Sequence, residues 1–442
     1  MHTIKFGTDG VRGKANVAPI DALSMCRIGQ AAAGLVGPGA LVFVGRDTRA
    51  SGPMLEAALT AGLASGGANV LLAGVVPTAA VGLAVRERGA AMGVMLTASH
   101  NPAEDNGIKF FGRSGDKLDE KEQDELQDRI NANQAPDPGI NIGRIDQTSA
   151  VQELYAQAVR ASAPGTPLKG MHLVLDCAHG AASFLAPEIL RAMGAKLDVL
   201  HANPDGKNIN LECGSTAPQI LQQRVTALGA DAGIAFDGDA DRVLLVDEKG
   251  GLIDGDLLLA SIARDWAERG LLRGEAVVAT HMSNLGLEVY LQDIGLKLER
   301  TQVGDRYVAA KLNTLGANLG GEQSGHLRMP DLCPSGDGLI AAVAALRVLG
   351  TASKPASMAL RPFSPLPQFM HNVARPDGPD PMDNPTIIKA CQQAEGVLGD
   401  TGRLLVRPSG TEPLVRVMAE CDNPHTARQA IKLVTDALGA LG

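Results

Sequence analysis

Aromatic residues, positive charge and paired cysteines are all scarce in this sequence. Aromatic residues make up only 3% of the 442 residues, too few for the stacking platforms that hold single-stranded nucleic acid. The formal net charge is −9, so the chain has no overall basic field with which to hold a polyanion. We therefore expect no nucleic-acid partner, and any phosphate-binding site has to be local.

Disulfide, zinc and membrane signals are also missing. The six cysteines are scattered, with no C-x-x-C pair, which favours buried thiols in a reducing cytosol. The longest stretch without a charge, 57–85, is broken by SGGAN (65–69) and by later Gly and Pro residues, so it predicts no continuous membrane-spanning helix. The first ten residues contain no apolar signal segment. We expect a cytoplasmic, soluble protein with no membrane partner.

Three successive passages share one pattern, in which short apolar runs alternate with helical periodicity. They cover 41–96, 173–236 and 276–320, and the pattern predicts βαβ units with a mostly parallel sheet in each. In each passage the helix before the last strand is followed by Gly-Ala, which begins at Gly89, Gly229 and Gly316. Glycine just beyond a helix end typically adopts the left-handed conformation. The repetition predicts three consecutive similar α/β domains.

The chain after Arg361 changes character. Two Pro-rich segments, RPFSPLPQF and RPDGPDPMDNP, precede a pattern of two strands and two helices. This pattern predicts a smaller C-terminal α+β domain. We place the four domains at 1–150, 151–256, 257–364 and 365–442.

Each of the three passages runs into a polar loop, namely TASHNP (97–102), DGDADR (237–242) and GEQSGH (321–326). Loops beyond the carboxyl ends of strands bind ligands in open α/β sheets, so we expect these three to converge on one cleft. In the first loop, Asn-Pro forces a turn, and we expect Ser99 and His100 to be exposed together there. A capped turn without function would have a similar sequence.

The second loop carries carboxylates at Asp237, Asp239 and Asp241. Their alternation lets all three point at one ion of the oxygen-preferring kind, Mg²⁺ or Ca²⁺. Without a cation, three acids this close would repel each other. An EF-hand is excluded because an apolar strand, Leu244–Val246, stands where the calcium loop should continue. Arg242, beside the acids, suits a phosphate that bridges to the metal.

The stretch RPSGTEP (407–413) predicts a phosphate monoester site, with a tight turn between strands as the alternative. A guanidinium supplies a bidentate fork, two hydroxyls supply donors, and a glycine opens a turn whose N–H groups can surround an anion. A second guanidinium lies a few residues further on. These groups belong to Arg407, Ser409, Gly410, Thr411 and Arg416.

The third loop offers donors and acceptors that suit sugar hydroxyls or an amine, from Glu322, Ser324 and His326. Alone, this is a weak signal. A metal loop, a phosphate loop, a recognition loop and an exposed serine together indicate phosphoryl transfer on a phosphorylated polyol. Ser99 is then the nucleophile or, when phosphorylated, the phosphate donor.

The four loops TASHNP, DGDADR, GEQSGH and RPSGTEP, in this order and spacing, resemble the signature loops of the α-D-phosphohexomutase superfamily. The resemblance covers essentially the whole chain. It implies a heart-shaped protein in which three α/β domains with mixed, mostly parallel sheets precede the small C-terminal domain. Three further stretches, FGTDGVRG (6–13), NPDGKNINLECGST (203–216) and TQVGDRYV (301–308), resemble the superfamily members that act on glucosamine phosphates.

The resemblance also implies a reaction and its cofactors. Glucosamine 6-phosphate and glucosamine 1-phosphate would be interconverted for the synthesis of UDP-N-acetylglucosamine. Phospho-Ser99 would give its phosphoryl group to the substrate, and the glucosamine 1,6-bisphosphate so formed, also an activator, would return its other phosphate to Ser99. One Mg²⁺ per subunit would be held by the Ser99 phosphate and the three aspartates.

The remaining roles follow from the same resemblance. Arg12, His100 and Lys109 would assist proton transfer and steady the phosphoserine. Glu322 and Ser324 would bind the sugar, and the groups of RPSGTEP with Arg416 would bind the phosphate that is not transferred. A homodimer is one alternative for the oligomeric state, which the sequence does not decide.

Three other functions stay open at this point. The same chemistry on mannose or glucose phosphates is the nearest alternative. A phosphosugar sensor without catalysis would have no use for Ser99, and the intact serine and aspartates weigh against it. A Mg²⁺-dependent phosphatase would release inorganic phosphate steadily and would need no bisphosphate.

Overall fold

The computed structural model describes residues 4–7, 9–132, 141–375, 380–408 and 413–441. By its internal contacts the chain forms two compact units. The first comprises residues 1–280 and 299–362, and the second comprises 281–298 and 363–442. No helix within the described ranges is both long and apolar enough to cross a membrane.

The strands alternate with helices along most of the chain. The strands are β1 (Val11–Lys14), β2 (Leu41–Arg46), β3 (Asn69–Val75), β4 (Met92–Leu96), β5 (Asp105–Phe111), β6 (Ile145–Gln147), β7 (His172–Asp176), β8 (Lys196–Leu200), β9 (Ala232–Phe236), β10 (Val243–Asp247), β11 (Leu252–Ile253), β12 (Ala276–Thr280), β13 (Lys297–Thr301), β14 (Gly320–Gly321), β15 (Leu327–Arg328), β16 (Gln368–Ala374), β17 (Arg403–Pro408) and β18 (Leu414–Glu420).

The α-helices are α1 (Ala22–Val36), α2 (Gly52–Ser65), α3 (Thr78–Arg88), α4 (Glu120–Ala132), α5 (Ala150–Ser162), α6 (Ala182–Ala192), α7 (Gln219–Leu228), α8 (Gly255–Glu268), α9 (Leu285–Asp293), α10 (Asp305–Leu315), α11 (Gly338–Ala352), α12 (Ala356–Ala359), α13 (Pro385–Leu398) and α14 (Pro424–Gly439). Short 3₁₀ helices cover Gly214–Thr216, Pro381–Asp383 and Gly399–Thr401.

The predicted threefold repetition is confirmed by the strand orders of three sheets. The six-stranded sheet contains the order β5-β4-β2-β3, the five-stranded sheet contains β10-β9-β7-β8, and the four-stranded sheet has β15-β14-β12-β13. Strands β4, β2 and β3 are mutually parallel, as are β9, β7 and β8. In every repeat the last strand pairs with an antiparallel return strand, which is β5, β10 or β15. The sheets are therefore mixed but mostly parallel in their cores.

The glycines that follow the second helix of each repeat adopt the predicted left-handed conformation. Their φ angles are 63° at Gly89, 58° at Gly229 and 62° at Gly316, and each N–H closes the preceding helix. A residue with a Cβ is strained there. These glycines fix where the chain leaves each helix and enters the strand that carries a polar loop.

Apolar side chains between the sheets and their helices form the cores. The largest group packs α1, α2 and α4 against the six-stranded sheet, with Ile28, Leu59 and Val44 among its fully buried members. The strands β4 and β9 are buried along their whole lengths. Burial on both faces accounts for their continuous apolar sequences. These buried strands hold the loops at their carboxyl ends in place.

The second unit contains a three-stranded antiparallel sheet in the order β16-β18-β17, with α13 and α14 beside it. Its core includes Ile387, Val417 and Val434. Residues 281–298, which contain α9, belong to this unit although they lie far from its other residues in sequence. The side-chain amide of Asn284 exchanges two hydrogen bonds with the backbone of Leu366, at 3.0 and 2.9 Å.

Candidate active site

The three polar loops of the first unit converge, as their positions after β4, β9 and β14 predicted. The backbone N–H of Val243 donates to the carbonyl of Gly325 at 3.1 Å, which joins the second loop to the third. A Cβ added to Gly238 would lie 2.6 Å from the carbonyl oxygen of Ser99. Only a residue without a side chain allows the first two loops to approach this closely.

The Ser99 hydroxyl lies inside this junction. It donates to Oδ2 of Asp237 at 2.7 Å, and Nδ1 of His100 lies 3.3 Å away. Only 1% of Ser99 is exposed to solvent, so the prediction of an exposed serine was wrong. The hydroxyl instead faces the acidic loop, which covers it.

The buried position of Ser99 depends on residues outside its own loop. Its φ angle of 52° is left-handed, which costs a residue with a side chain about 1–2 kcal/mol. The fully buried Arg49 donates to its carbonyl at 3.0 Å, and Asn210 donates to the same oxygen at 2.9 Å. These contacts, and that of its N–H with the Thr97 hydroxyl at 2.9 Å, hold the strained turn.

Arg49 holds the rest of the loop as well. Its guanidinium also donates to the carbonyls of Asn101 and Asp105, at 2.9 and 2.8 Å, and to the carbonyl of Pro102. Asp47 accepts from its Nε at 2.9 Å and thereby orients it. The loop TASHNP (97–102) is thus built around one buried guanidinium.

The three aspartates of the second loop form a compact oxygen cluster. Each offers one carboxylate oxygen, and these oxygens lie within 4.8 Å of one another. Among the described residues, Oδ1 of Asp239 is buried without a hydrogen-bond partner, while Oδ1 of Asp241 is buried and faces Nδ1 of His326 at 3.5 Å. Buried oxygen atoms without a donor are costly unless a cation satisfies them. The site therefore fits a hard divalent cation, which prefers oxygen ligands.

Lys109, on β5, approaches this cluster. Its Nζ lies 2.8 Å from Oδ2 of Asp239 and 2.9 Å from Oδ2 of Asp241. The Thr78 hydroxyl also donates to Oδ2 of Asp239, at 2.6 Å. Burial alone would lower the pKa of Lys109, but the surrounding carboxylates outweigh it and raise that pKa well above its usual value. The ammonium group is thus a fixed positive charge.

The cluster divides its acids into two kinds. Burial, and then the charges of Asp239 and Asp241, raise the pKa of Asp237 well above its usual range. Burial also acts on Asp241, but Lys109 and His326 outweigh it and hold the pKa of Asp241 well below its usual range. The mutual repulsion of neighbouring carboxylates acts on Asp237, and the nearby positive groups offset it at Asp241.

The imidazole of His100 is neutral at physiological pH. Burial, followed by the charges of Arg242 and Arg12, lowers the pKa of His100 to about 4. Arg12 pairs with Asp9 at 2.6 Å. The backbone N–H of Arg242 donates to Asp237 at 3.2 Å, and its Nε lies 4.0 Å from Oδ1 of Asp241. Arg12, His100 and Arg242 therefore border the same cluster.

The three predicted residues of the loop GEQSGH differ in how exposed they are to solvent. Glu322 accepts from the N–H of Gly304 at 3.1 Å and from the exposed Ser324 hydroxyl at 3.3 Å. His326 is buried, with Nε2 3.0 Å from Asp305 and Nδ1 3.5 Å from Asp241. The structure thus places Glu322 and Ser324 near the surface and His326 among carboxylates.

The predicted phosphate site lies in the second unit. Arg407 on β17 pairs directly with Arg416 on β18, so the two side chains leave the same face of the sheet. Burial, followed by the charge of Arg416, lowers the pKa of Arg407. Like charges directly opposite each other on neighbouring strands are destabilising. Ser409, Gly410 and Thr411 lie outside the described residues.

Four residues of the site were missed by the motif analysis. Arg49 and Lys117 carry no local signal, because neither belongs to a recognised loop. Asp9 and Asp305 stand inside FGTDGVRG and TQVGDRYV, so closer attention to the acids of those stretches could have found them. Lys117 lies 2.6 Å from Asp9 and 2.9 Å from Asp305.

A serine hydroxyl against an acidic cluster, at the strand ends of a repeated α/β fold, defines a phosphoryl-transfer enzyme. Family models of phosphoglucomutase/phosphomannomutase match the chain in four parts: α/β/α domain I at 3–137, domain II at 151–251, domain III at 254–365 and the C-terminal domain at 370–436. The chain belongs to this family. It is an isomerase of the phosphohexomutase type.

Individual proteins show the same relation. The chain is 48% identical to phosphoglucosamine mutase of Ruegeria pomeroyi and 49% identical to that of Roseobacter denitrificans, over 98% of each chain. A solved phosphoglucomutase/phosphomannomutase family protein of Burkholderia thailandensis has a TM-score of 0.83 and 25% identity, covering 98% of this chain and 97% of its own. The N-acetylphosphoglucosamine mutase of Aspergillus fumigatus shares the fold, with a TM-score of 0.66, 18% identity and coverage of 99% and 96%.

Proposed function

We propose that this protein interconverts glucosamine 6-phosphate and glucosamine 1-phosphate. The observation that carries the proposal is the Ser99 hydroxyl, which lies 2.7 Å from Asp237 within a cluster of three carboxylates. Relatives named phosphoglucosamine mutase, 48–49% identical over 98% of the chain, support the choice of sugar.

Asp237, Asp239 and Asp241 would hold one Mg²⁺ together with the phosphate on Ser99. When bound, Mg²⁺ supplies positive charge that offsets the negative charge of the transferring phosphoryl group. The all-oxygen donor set supports this assignment, as does the buried Oδ1 of Asp239, which has no donor among the described residues.

The chain's own residues handle the two half-reactions. In the first, the bond between phosphorus and Ser99 Oγ breaks while a bond forms to a sugar hydroxyl, giving glucosamine 1,6-bisphosphate. The sugar hydroxyl gives up its proton, and His100, neutral because its pKa is about 4, can accept it. Because Nδ1 of His100 lies 3.3 Å from Ser99 Oγ, His100 can then give a proton to that oxygen as it leaves the phosphorus. Lys109 is already protonated and, with Arg12, stabilises the phosphoryl charge. The second half-reaction returns the other phosphate to Ser99, so the bisphosphate also serves as activator.

The sugar would be recognised by Glu322 and Ser324. Within the described parts of the chain, the half-buried Glu322 carboxylate accepts from one N–H and one hydroxyl. A carboxylate favours the ammonium group of glucosamine over the neutral hydroxyl at the same carbon of glucose or mannose. The facing guanidinium groups of Arg407 and Arg416 would bind a phosphate monoester, with the N–H groups of Ser409, Gly410 and Thr411 as further donors.

Replacing Ser99 by Ala tests the role of the serine. We expect turnover to fall to background, and intact-mass measurement should find the single phosphate adduct in the natural protein and not in the variant. A variant that keeps a tenth of the natural rate would contradict the phosphoserine mechanism.

Turnover of glucosamine, glucose and mannose 1-phosphates tests the sugar. We expect the highest kcat/KM with glucosamine 1-phosphate, and Glu322→Gln should reduce that preference. A higher kcat/KM with glucose 1-phosphate would favour the alternative substrates.

The cytoplasmic location, the homodimer and the domain boundaries at 150, 256 and 364 remain predictions.

A further inference from the structure

Six charged side chains form a closed ring beside the acidic cluster, and positive and negative groups alternate around it. In order, they are Lys109, Asp9, Lys117, Asp305, His326 and Asp241. They come from the N-terminal segment, from β5 and the turn after it, from the loops after β9 and β14, and from the first residue of α10. Only Asp241 belongs to the proposed metal ligands.

The two lysines share one carboxylate. Lys109 lies 3.3 Å from Oδ2 of Asp9, and Lys117 lies 2.6 Å from Oδ1 of the same residue. Lys117 also lies 2.9 Å from Asp305. Only 2% of the Lys109 side chain and 12% of the Lys117 side chain are exposed, so water compensates these charges poorly and the ion pairs decide where each ammonium lies.

Lys109 is held between two competing sets of carboxylates. On one side are Asp239 and Asp241, at 2.8 and 2.9 Å, and on the other is Asp9, at 3.3 Å. Arg12 pairs with Asp9 through Oδ2, the same oxygen that faces Lys109, so Oδ1 depends on Lys117. Neutralising Oδ1 weakens the attraction of Asp9 for the Lys109 ammonium.

Asp305 is less dependent on Lys117 than Asp9 is. Arg328 binds Asp305 through both oxygens, at 3.0 and 3.1 Å, and His326 lies 3.0 Å away. Loss of the Lys117 charge would therefore act mainly at Asp9.

We propose that Lys117 is a positioning residue that keeps the Lys109 ammonium on the acidic cluster by neutralising Asp9. The proposal rests on the metal assignment made under the proposed function. Without the Lys117 charge, Lys109 moves toward Asp9, and Asp239 and Asp241 lose their resident cation. A divalent cation then binds the cluster more tightly, while the phosphoryl group loses a stabilising charge and turnover slows.

The test uses the full-length protein with Mn²⁺, whose free concentration is read from its electron paramagnetic resonance signal. We expect Lys117→Met to lower the Kd for Mn²⁺ by about three- to tenfold, a coupling that is ordinary for groups in contact. We also expect kcat to fall at least tenfold with little change in KM, and Lys117→Arg, which keeps the charge, to restore most of both. Lys311→Met is the matched control, because Lys311 pairs with Glu299 at 3.0 Å outside the ring.

Removing the Lys117 charge could also strengthen Mn²⁺ binding directly, without any movement of Lys109. The same change made in a Lys109→Met variant distinguishes the two effects. In Lys109→Met, Lys117→Met should no longer change the Kd for Mn²⁺, because no ammonium remains to be moved. An equal change in both backgrounds, or weaker Mn²⁺ binding in the single variant with thermal unfolding unchanged, would overturn the proposal. If Lys117→Met does not fold, Lys117→Gln and Asp9→Asn decide it, and Asp9→Asn should weaken Mn²⁺ binding only when Lys109 is present. Asp239→Asn tests the metal site itself, so its failure to weaken Mn²⁺ binding would contradict the proposed function instead.

Discussion

Ser99 keeps a left-handed backbone conformation because a guanidinium some fifty residues earlier in the sequence binds the carbonyls around it. Arg49 reaches four main-chain oxygens between Ser99 and Asp105. A lysine in its place has one ammonium group and no fork, so it leaves several of these buried acceptors without a donor.

Arg49→Lys should therefore damage both the loop and the chemistry. We expect a loss of at least about 2 kcal/mol in stability, since each unpaired buried acceptor costs about 1–3 kcal/mol. We expect kcat to fall by about 100-fold, which is what a displacement near 1 Å can cost. Thermal unfolding and steady-state turnover measure the two effects. The control is Arg46→Lys, a partly exposed arginine 3.2 Å from Glu56, and equal losses in both variants would contradict the role given to Arg49.

The positions of some single side chains could be predicted from the sequence, and others could not. The spacing of Asp237, Asp239 and Asp241 predicted a joint ligand set, and their oxygens do lie within 4.8 Å of one another. The burial of Ser99 was not predictable, because it depends on Arg49 and Asn210, which no local pattern connects to the loop. Long-range contacts of single side chains leave no periodic signal in a sequence.

The antiparallel return strands also depend on long-range contacts that the local sequence does not reveal. The strand β5, Asp105–Phe111, reads DNGIKFF, in which Asn-Gly suggests a turn and a charged lysine interrupts the apolar run. Its pairing with β4 and its burial overrule that local signal. The lysine is Lys109, so the sequence feature that hid the strand is a residue of the site.

Helix α11 begins at a buried acid that is also bound by another helix. Asp337 accepts from the N–H groups of Leu339 and Ile340, at 2.8 and 3.1 Å, and from the Tyr155 hydroxyl of α5, at 2.9 Å. Burial raises the pKa of Asp337 from 3.8 to about 6 despite these donors. The folded protein therefore binds this proton more tightly than the unfolded chain does.

The sign of the resulting pH dependence is fixed. The contribution of Asp337 to stability is fully present below pH 4 and is lost as the pH rises through 6, by about 3 kcal/mol at most. In Asp337→Asn this loss should be absent. The free energy of unfolding of the variant should therefore rise relative to that of the natural protein between pH 4.5 and 7.5. Unfolding is followed by the fluorescence of Trp266, the single tryptophan, on α8, which packs against α11. Tyr155→Phe, which removes a donor, should move the loss to higher pH, and a constant difference across the range would contradict the assignment.

Arg407 and Arg416 face each other across β17 and β18, where we expect the phosphate that is not transferred to bind. Arg407→Lys keeps the charge opposite Arg416 but loses the bidentate fork. We expect kcat/KM for the phosphosugar to fall. The loss should correspond to about 1.5–3 kcal/mol of transition-state stabilisation, the range for hydrogen bonds to charged groups. Phospho-Ser99 should still form when bisphosphate is in excess. Turnover across a bisphosphate titration measures this. The control is Arg428→Lys, whose guanidinium lies over the Phe369 ring, and unchanged kinetics in Arg407→Lys would reduce RPSGTEP to a turn.

We expect the acidic cluster to link the stability of the whole molecule to divalent cations. A cation that binds only the folded protein stabilises it by about 2.7 kcal/mol when present at 100 times its Kd. We expect Mg²⁺ to raise Tm by about 5 °C over the value in a chelator. Differential scanning calorimetry measures the shift, and Asp239→Asn should lose most of it. A full shift in that variant would place the cation elsewhere.

The second unit is built from two separated stretches of chain, so one stretch is synthesised well before the other. During synthesis, residues 281–298 leave the ribosome before any of residues 363–442, and the last of those follows roughly 140 residues later. At about 5–20 residues per second, α9 waits on the order of ten seconds for its core to be completed. Its apolar side chains are exposed to chaperones and to other nascent chains for that interval. Rare codons after position 298 would lengthen it, so the yield of folded protein becomes sensitive to the speed of translation.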